Sequence, residues 1–204
     1  MGIRVALLLL SINRDDVAFF LIVVHGESLL SITYGRQGGF RTIEMGGFFM
    51  SFVIERILKE AIPKSLLLLA DPSERQIATY VQRGLTYVAK QGGSVIGVYV
   101  LLETRPKTME IMNIAVAEHL QGKGIGKKLL RHAVETAKGY GMSKLEVGTG
   151  NSSVSQLALY QKCGFRIFSI DFDYFSKHYE EEIIENGIVC RDMIRLAMEL
   201  NKNV

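Results

Sequence analysis

The chain has 204 residues, 48% of them hydrophobic and 22% charged, a balance typical of one globular domain with a buried core. A net charge of +3, without a basic run that carries interleaved aromatic residues, argues against a nucleic-acid partner. Two cysteines are too few for a disulfide framework, so we expect a cytoplasmic protein. These cysteines and the four histidines have no metal-ligand spacing, so we expect no metal site.

The N-terminal segment differs from the rest of the chain. Residues 5–12 and 17–24 are strongly apolar, but the polar residues 13–16 separate them. Neither run reaches the length of about 20 residues that crosses a bilayer, and the interruption argues against a secretory signal. We therefore expect no membrane partner. Two buried strands of a hairpin are one interpretation of these runs.

A translated leader is the interpretation that we favour for residues 1–49. Gly46 and Gly47 can be encoded by the bases GGAGG, which resemble a bacterial ribosome-binding site a few bases before the ATG of Met50. Native translation is then expected to begin at Met50, and residues 50–204 to form a single domain. The mass of the protein made from its native gene tests this, since a product that begins at Met1 would contradict it.

From Met50 onward, apolar periodicity and the positions of proline and glycine predict strands and helices in a regular order. Asp71 and Pro72 resemble the cap and the first residue of a helix. The segment Gln91-Gly92-Gly93 predicts a hairpin turn. The predicted elements are a strand at 52–58, helices at 65–70 and 72–83, strands at 84–90, 94–103 and 108–116, a helix at 124–139, a strand at 144–149, a helix at 153–163, and strands at 166–175 and 189–198.

A glycine-rich loop precedes the helix predicted at 124–139. Without a Cβ, its glycines let an anion approach the backbone N–H groups closely. Those groups lie at a helix N-terminus, where the donors lack partners and the macrodipole is positive, so the segment suits a pyrophosphate. The loop and the first helical turn contain three glycines and three lysines, namely Gly122, Gly124, Gly126, Lys123, Lys127 and Lys128.

The spacing of these residues excludes two common nucleotide-binding loops. The third glycine comes one residue too early for Gly-x-Gly-x-x-Gly, and Lys127 occupies the position where a Gly-x-x-x-x-Gly-Lys-Ser/Thr loop needs its second glycine. The pattern that fits is Gln-x-x-Gly-x-Gly, formed by Gln121, Gly124 and Gly126. After an apolar strand and before an amphipathic helix, this segment resembles the acyl-CoA-binding motif of the GNAT N-acetyltransferases. Residues 159–165 are similar to that family's Leu-Tyr-x-Lys-x-Gly-Phe segment.

The resemblance covers about residues 51–200 and implies both a fold and an activity. The fold is α/β (α+β), with a mixed, mostly antiparallel central sheet that contains a splayed strand pair and is flanked by helices. The activity is transfer of an acetyl group from the co-substrate acetyl-CoA to a primary amine, by direct transfer in a ternary complex. The alternative is a non-catalytic acyl-CoA-binding module that acts as a sensor or partner subunit. The acceptor would be a small-molecule or peptide amine, and a homodimer is compatible with the sequence.

The resemblance also implies which residues bind the acyl donor. The strand edge would pair with the pantetheine amides, the glycine loop would bind the pyrophosphate, and an Asn or Ser before the following helix would bind the CoA arm. These residues are Ile114, Ala115, Val116, Gln121, Gly122, Lys123, Gly124, Ile125, Gly126, Lys127, Asn151 and Ser153. Asn151 and Ser153 are alternatives, because the family's Asn spacing falls on Ser153.

Three residues are predicted to act in catalysis: Tyr160, Val116 and Glu110. Tyr160 would be the general acid to the CoA thiolate, since an unperturbed tyrosine has a pKa of about 10 and is protonated at neutral pH. The Val116 N–H would stabilise the oxyanion. Glu110 would deprotonate the amine, directly or through a water, with His119 as a weaker candidate in a solvated loop. Cys163 is expected to be buried and inert, because the dipole at a helix C-terminus disfavours a thiolate.

The acceptor site is expected between the early helices and the loop before the last strand, at about residues 66–83 and 175–187. Asp171, Asp173 and the acidic run 180–182 could attract a cationic amine there. The other interpretation of these acidic residues is a solvated surface.

Overall fold

The structure, a computed structural model, describes residues 52–200 and, before them, only the backbone of four strands. The chain divides into two compact units, Met1–Ser51 and Phe52–Val204. The first unit is an antiparallel sheet of β1 (Ile3–Asn13), β2 (Asp16–His25), β3 (Ser28–Arg36) and β4 (Gly39–Ile43), in that order. Both N-terminal apolar runs fall within β1 and β2, which pair as a hairpin. Met50, the predicted start of translation, lies outside the described residues.

The second unit is built around one large sheet. Its strands are β5 (Val53–Arg56), β6 (Leu85–Gln91), β7 (Ser94–Arg105), β8 (Thr108–Val116), β9 (Lys144–Gly150), β10 (Arg166–Asp171) and β13 (Met193–Glu199). β11 (Ile184–Glu185) and β12 (Ile188–Val189) form a separate hairpin. The helices are α1 (Lys64–Leu67), α2 (Glu74–Val81), α3 (Ile125–Gly139), α4 (Val154–Lys162) and α5 (Tyr174–His178).

The strand order of the large sheet is β10-β13-β9-β8-β7-β6-β5. All neighbouring strands in it are antiparallel except β8 and β9, which are parallel. The predicted mixed, mostly antiparallel sheet is therefore confirmed. Within the described residues, no helix is long and apolar enough to cross a membrane.

The sheet is covered on both faces, which explains the near-continuous apolar sequence of β7. On one face, Val98 and Val100 belong to a buried cluster with Leu67 of α1 and residues of α2. On the other face, α3 presents an apolar side that includes the fully buried Leu129 and Leu130. A β-strand buried on both faces has no polar alternation, as the sequence of β7 predicts.

Some predicted element boundaries are wrong. α2 begins at Glu74, and its cap is Ser73, whose Oγ accepts a hydrogen bond from Gln76 N at 3.2 Å. Asp71 and Pro72 therefore precede the helix. The strand predicted at 166–175 is shorter in the structure, where β10 ends at Asp171. It ends there because Asp173 has a left-handed φ of 59° and turns the chain into α5. The strand predicted at 189–198 is divided into β12 and β13.

The parallel pair separates halfway along its length. β8 and β9 pair only from Thr108 opposite Lys144 to Ile111 opposite Val147, although both strands continue. A β-bulge begins at the same point, because Met112 is an extra residue between the partners of Leu101 and Val100 on β7. The bulge turns the end of β8 away from β9. The predicted splayed strand pair is thus present, and it leaves a gap in the sheet.

Candidate functional site

Two cavities open where β8 and β9 diverge. The first, of about 430 Å³, runs along the end of β8, the glycine loop and α4, and we call it the glycine-loop cavity. The second, of about 420 Å³, lies between the α1–α2 loop, β9 and the segment after α5, and we call it the β9 cavity. Five residues line both cavities: Leu69, Ala70, Ile114, Gln156 and Tyr160. A group bound in one cavity can therefore approach a group bound in the other.

The glycine loop has the backbone geometry that its sequence predicts. Gly122 and Gly124 have φ values of +73° and +80°, in the left-handed region that favours glycine. The first hydrogen bond of α3 runs from Lys128 N to Gly124 O at 3.2 Å. The N–H groups of Ile125 and Gly126 come before that bond and have no acceptor inside the helix. They are available to an anion in the cavity.

Gly126 is required for a different reason from the other two glycines. It lies inside α3, and a Cβ added there would be 3.7 Å from Leu159 Cδ2 and 3.8 Å from Val116 Cγ2. These are ordinary van der Waals distances, so the protein itself has room for a side chain. Because Gly126 has no side chain, the space that a Cβ would fill remains part of the glycine-loop cavity.

The predicted donor-binding residues of the strand and loop meet in this cavity, with one exception. Gln121 Nε2 donates a hydrogen bond to Val116 O at 3.1 Å and so joins the loop to the end of β8. Lys127 lines the cavity, whereas Lys123 is exposed outside it. The predicted residues that line the cavity are Ile114, Ala115, Val116, Gln121, Gly122, Gly124, Ile125, Gly126 and Lys127.

The C-terminal turn of α4 positions Tyr160 between the two cavities. Gly164 has a φ of +98°, and the N–H groups of Gly164 and Phe165 donate to Gln161 O and Tyr160 O at 3.0 and 3.1 Å. This is a Schellman motif, encoded by the Gly-Phe pair. The Tyr160 and Phe165 rings also pack together, with their centroids 6.2 Å apart. Burial raises the pKa of Tyr160 well above its usual value, so its hydroxyl is protonated at neutral pH.

Comparisons with known proteins identify the family. The Acetyltransferase (GNAT) family model matches residues 54–165. The uncharacterized N-acetyltransferase YvbK of Bacillus subtilis is 59% identical over 135 residues, which are 66% of this chain and 87% of that protein. The chain belongs to the GNAT acetyltransferase family. Like the members of this family, it is an N-acetyltransferase, so the non-catalytic module is not supported.

Two solved acetyltransferase structures are similar to most of this chain. An IAA acetyltransferase from Bacillus cereus is 99% identical and has a TM-score of 0.72, over 74% of this chain and all of its own. A GNAT family acetyltransferase from Elizabethkingia anophelis, solved with acetyl-CoA bound, is 49% identical. It has a TM-score of 0.72, over 73% of this chain and 98% of its own.

Asn151 and Ser153, the two alternatives predicted to bind the CoA arm, do not line the glycine-loop cavity. Asn151 Oδ1 accepts hydrogen bonds from the N–H groups of Arg191 and Asp192 at 2.8 and 2.9 Å. Its Nδ2 donates to Val189 O at 3.0 Å, so Asn151 holds the chain between β12 and β13. Ser153 lines the β9 cavity instead.

Glu110 lines neither cavity, although it lies on the sheet face below the β9 cavity. Its Oε1 forms an ion pair with Arg195 Nη1 at 3.1 Å. Arg195 is two residues from Met193 on β13 and therefore shares its face, and Met193 lines the β9 cavity. Burial raises the pKa of Glu110, and the nearby Arg195 opposes this effect. The arrangement is compatible with proton transfer through a water, one of the two routes predicted for Glu110.

The other candidate side chains are also located by the structure. His119 is exposed and lines neither cavity, as a solvated loop residue would be. Cys163 is half-buried rather than buried, and it lies outside both cavities. Cys190 was not predicted to be near the site, yet it lines the β9 cavity, and burial raises the pKa of its thiol. In the described part of the chain, no three His, Cys, Asp or Glu side chains are placed to hold a metal ion.

The two cavities differ in charge. Among residues 52–200, Lys127 is the charged side chain that lines the glycine-loop cavity, whereas Asp71 and Glu185 line the β9 cavity. The acidic residues predicted to attract the acceptor lie elsewhere. Asp171 pairs with Arg195 at 2.5 Å, Asp173 pairs with Arg191 at 3.4 Å, and the run 180–182 is exposed. None of these predicted acidic residues lines either cavity.

Proposed function

We propose that this acetyltransferase moves an acetyl group from acetyl-CoA directly to a primary amine in a ternary complex. The observation that carries the proposal is the wall of Ile114 and Tyr160 common to both cavities. It allows donor and acceptor to be bound at the same time from opposite sides. The acetyl-CoA bound by the Elizabethkingia anophelis relative supports acetyl-CoA as the donor.

The donor would occupy the glycine-loop cavity. Its pyrophosphate would accept hydrogen bonds from the first N–H groups of α3, close to Lys127, because a helix N-terminus favours an anion. The pantetheine arm would follow the edge of β8 that β9 leaves unpaired. This path leads the thioester past Val116 towards Tyr160.

The reaction needs one nucleophile and two proton transfers. The neutral amine in the β9 cavity would attack the thioester carbon, forming the C–N bond, while the Val116 N–H would stabilise the oxyanion. Breaking the C–S bond would release the CoA thiolate, which would take a proton from the Tyr160 hydroxyl. The proton that the amine loses would pass through a water to Glu110.

Replacing Glu110 with Gln tests whether Glu110 is the general base. Glu110 accepts a proton only when ionised, so activity should fall as the pH decreases through its pKa, which burial raises above the usual carboxylate range. Glu110→Gln should remove this acidic limb of the kcat/KM profile and lower kcat by about 10²-fold. The matched control is Glu103→Gln, an exposed residue outside both cavities. An acidic limb that persists in Glu110→Gln would refute the role.

Initial-velocity kinetics test direct transfer. A screen of polyamines, aminoglycosides, amino acids and peptide N-termini for CoA release first identifies an acceptor. Because both substrates must be bound together, we expect intersecting double-reciprocal plots. Parallel plots, together with acetyl label on Cys190, would contradict direct transfer, since this thiol lines the β9 cavity. Cys190→Ser should retain turnover, and Cys163→Ser, outside both cavities, is its control.

A further inference from the structure

We propose that the β9 cavity selects acceptors that carry a second positive charge beside the reacting amine, and that Asp71 and Glu185 bind this charge. The proposal rests on the proposed function, because it takes the β9 cavity as the acceptor site. It concerns which amines enter the cavity, and neither residue is assigned a role in the chemical step.

The first argument is that these two carboxylates lack a cation from the protein. Within residues 52–200, no Lys, Arg or His side chain pairs with Asp71 or Glu185. The neighbouring carboxylates on the same sheet are paired: Arg195 binds Glu110 and Asp171, and Arg105 binds Glu146. Asp71 is buried and Glu185 is half-buried. A buried carboxylate without a counter-ion is costly, and a cationic ligand offsets that cost.

The second argument is that hydrogen bonds fix the orientation of the Asp71 carboxylate. Burial raises the pKa of this group, and the hydrogen bonds from Ser73, Tyr179 and Tyr80 oppose that rise. Oδ1 accepts hydrogen bonds from Ser73 N at 3.0 Å and Tyr179 Oη at 3.1 Å, and Oδ2 accepts one from Tyr80 Oη at 3.4 Å. Asn113 Nδ2 donates to Tyr80 Oη at 3.0 Å, which directs the Tyr80 proton towards Asp71. Asp71 has only 9% of its surface exposed, so a cation beside it is weakly screened by solvent.

The third argument concerns the opposite side of the cavity. Glu185 Oε2 accepts a hydrogen bond from Ser153 Oγ at 2.5 Å, at the start of the helix that carries Tyr160. Asn186 Nδ2 donates to Ser152 O at 2.9 Å and fixes the β11–β12 hairpin to the same helix start. Glu185 therefore has a defined position relative to the reaction site.

Asn113 supports the Asp71 side of the β9 cavity. Asn113 is 4% exposed and lines the cavity, and its Oδ1 accepts no hydrogen bond within the described residues. Its Nδ2 is fully used, because it donates to Leu67 O and Tyr80 Oη at 3.0 Å. Because Oδ1 is itself buried, Asn113 is assigned no contact with the ligand; it fixes the Tyr80 hydroxyl that binds Asp71.

The chemistry of the remaining wall narrows the ligand class. Much of it is apolar, including Leu68, Ile111, Met112, Phe175 and Met193. Such a surface suits a chain of methylene groups between the two amines. The class that fits is therefore an aliphatic diamine or polyamine, with one amine at the thioester and the other at the carboxylates.

Three acceptors of equal chain length test the proposal: cadaverine, 5-aminopentanol and 5-aminovalerate. They share the reacting amine and end in a positive, neutral or negative group. We expect kcat/KM to be highest for cadaverine, by about tenfold or more over the alcohol, and lowest for the acid. Calorimetric binding to the CoA-loaded enzyme should follow the same order. Asp71→Asn should remove most of the difference, whereas Glu181→Gln, in the exposed acidic run outside both cavities, should not.

Binding and turnover, measured separately, distinguish the charge selection from the proposed acetyl transfer. Equal binding and turnover of the three compounds would overturn the charge selection and leave amine acetylation standing. Charge-dependent binding without CoA release would support the selection and overturn the proposed function. A preference for cadaverine that survives both Asp71→Asn and Glu185→Gln would refute the assigned residues. If Asp71→Asn does not fold, the three compounds on the unmodified enzyme still decide whether charge is selected.

Discussion

Replacing Tyr160 with Phe is expected to lower kcat by about 10²-fold or more, the usual contribution of a positioned general acid. The substitution keeps the ring that packs against Phe165 and the backbone of the Schellman motif, because it removes only the hydroxyl. The Kd for acetyl-CoA and the thermal unfolding midpoint should therefore be almost unchanged. Single-turnover kinetics measure the chemical step, and calorimetry measures donor binding.

The pH profile adds a second test of Tyr160. An acid must be protonated to act, so its contribution is lost as the pH rises through its pKa. Burial raises the pKa of Tyr160, and the alkaline limb should lie above the usual range of tyrosine. The control is Tyr140→Phe, since Tyr140 is 46% exposed and outside both cavities. A Tyr160→Phe enzyme with unchanged kcat across the neutral and alkaline range would refute the acid role.

Replacing Gly126 with Ala is expected to weaken acetyl-CoA binding by about tenfold or more without a loss of stability. The added Cβ meets no protein atom closer than 3.7 Å, but it enters the space beside the first N–H groups of α3. Alanine favours a helix over glycine by about 1 kcal/mol, so the free energy of unfolding should stay the same or increase. Calorimetric titration with acetyl-CoA and thermal unfolding measure the two effects separately.

Gly139→Ala is the matched control for Gly126→Ala. Gly139 lies at the other end of the same helix, outside both cavities, and a Cβ there would meet nothing within 4 Å. It should leave the Kd for acetyl-CoA unchanged. Gly124 is a poorer choice, because its φ of +80° makes any substitution strained. If Gly126→Ala binds acetyl-CoA as tightly as the unmodified enzyme, the pyrophosphate does not lie on the first turn of α3.

The sequence predicts those parts of the site whose structure is determined by residues close together along the chain. The glycine loop depends on left-handed φ values at Gly122 and Gly124. Glycine favours these values, so the sequence alone indicates them. The burial of one face of α3 depends on apolar periodicity. The position of Tyr160 depends on a Schellman motif that begins only a few residues later, at Gly164 and Phe165. In each case the interacting groups are close together along the chain.

The acceptor side could not be predicted, because it depends on contacts between distant segments. Tyr179 reaches Asp71 across 108 positions of the chain, and no local pattern specifies that hydrogen bond. Asp71 before Pro72 has the pattern of a helix cap, yet the cap is Ser73. Asn151 matches a CoA-binding residue in type, but its side chain is used by residues 189–192. The contacts of both side chains therefore depend on segments that are distant in the sequence.

A crystal structure of the enzyme with acetyl-CoA tests the central claim most directly, since it locates the donor relative to both cavities. We predict that the pyrophosphate accepts hydrogen bonds from the N–H groups at the start of α3 and that the thioester sulfur lies within hydrogen-bonding reach of Tyr160 Oη. The β9 cavity should stay open to an amine beyond the acetyl group. A donor that fills the β9 cavity, or a thioester that lies away from Tyr160, would contradict the account.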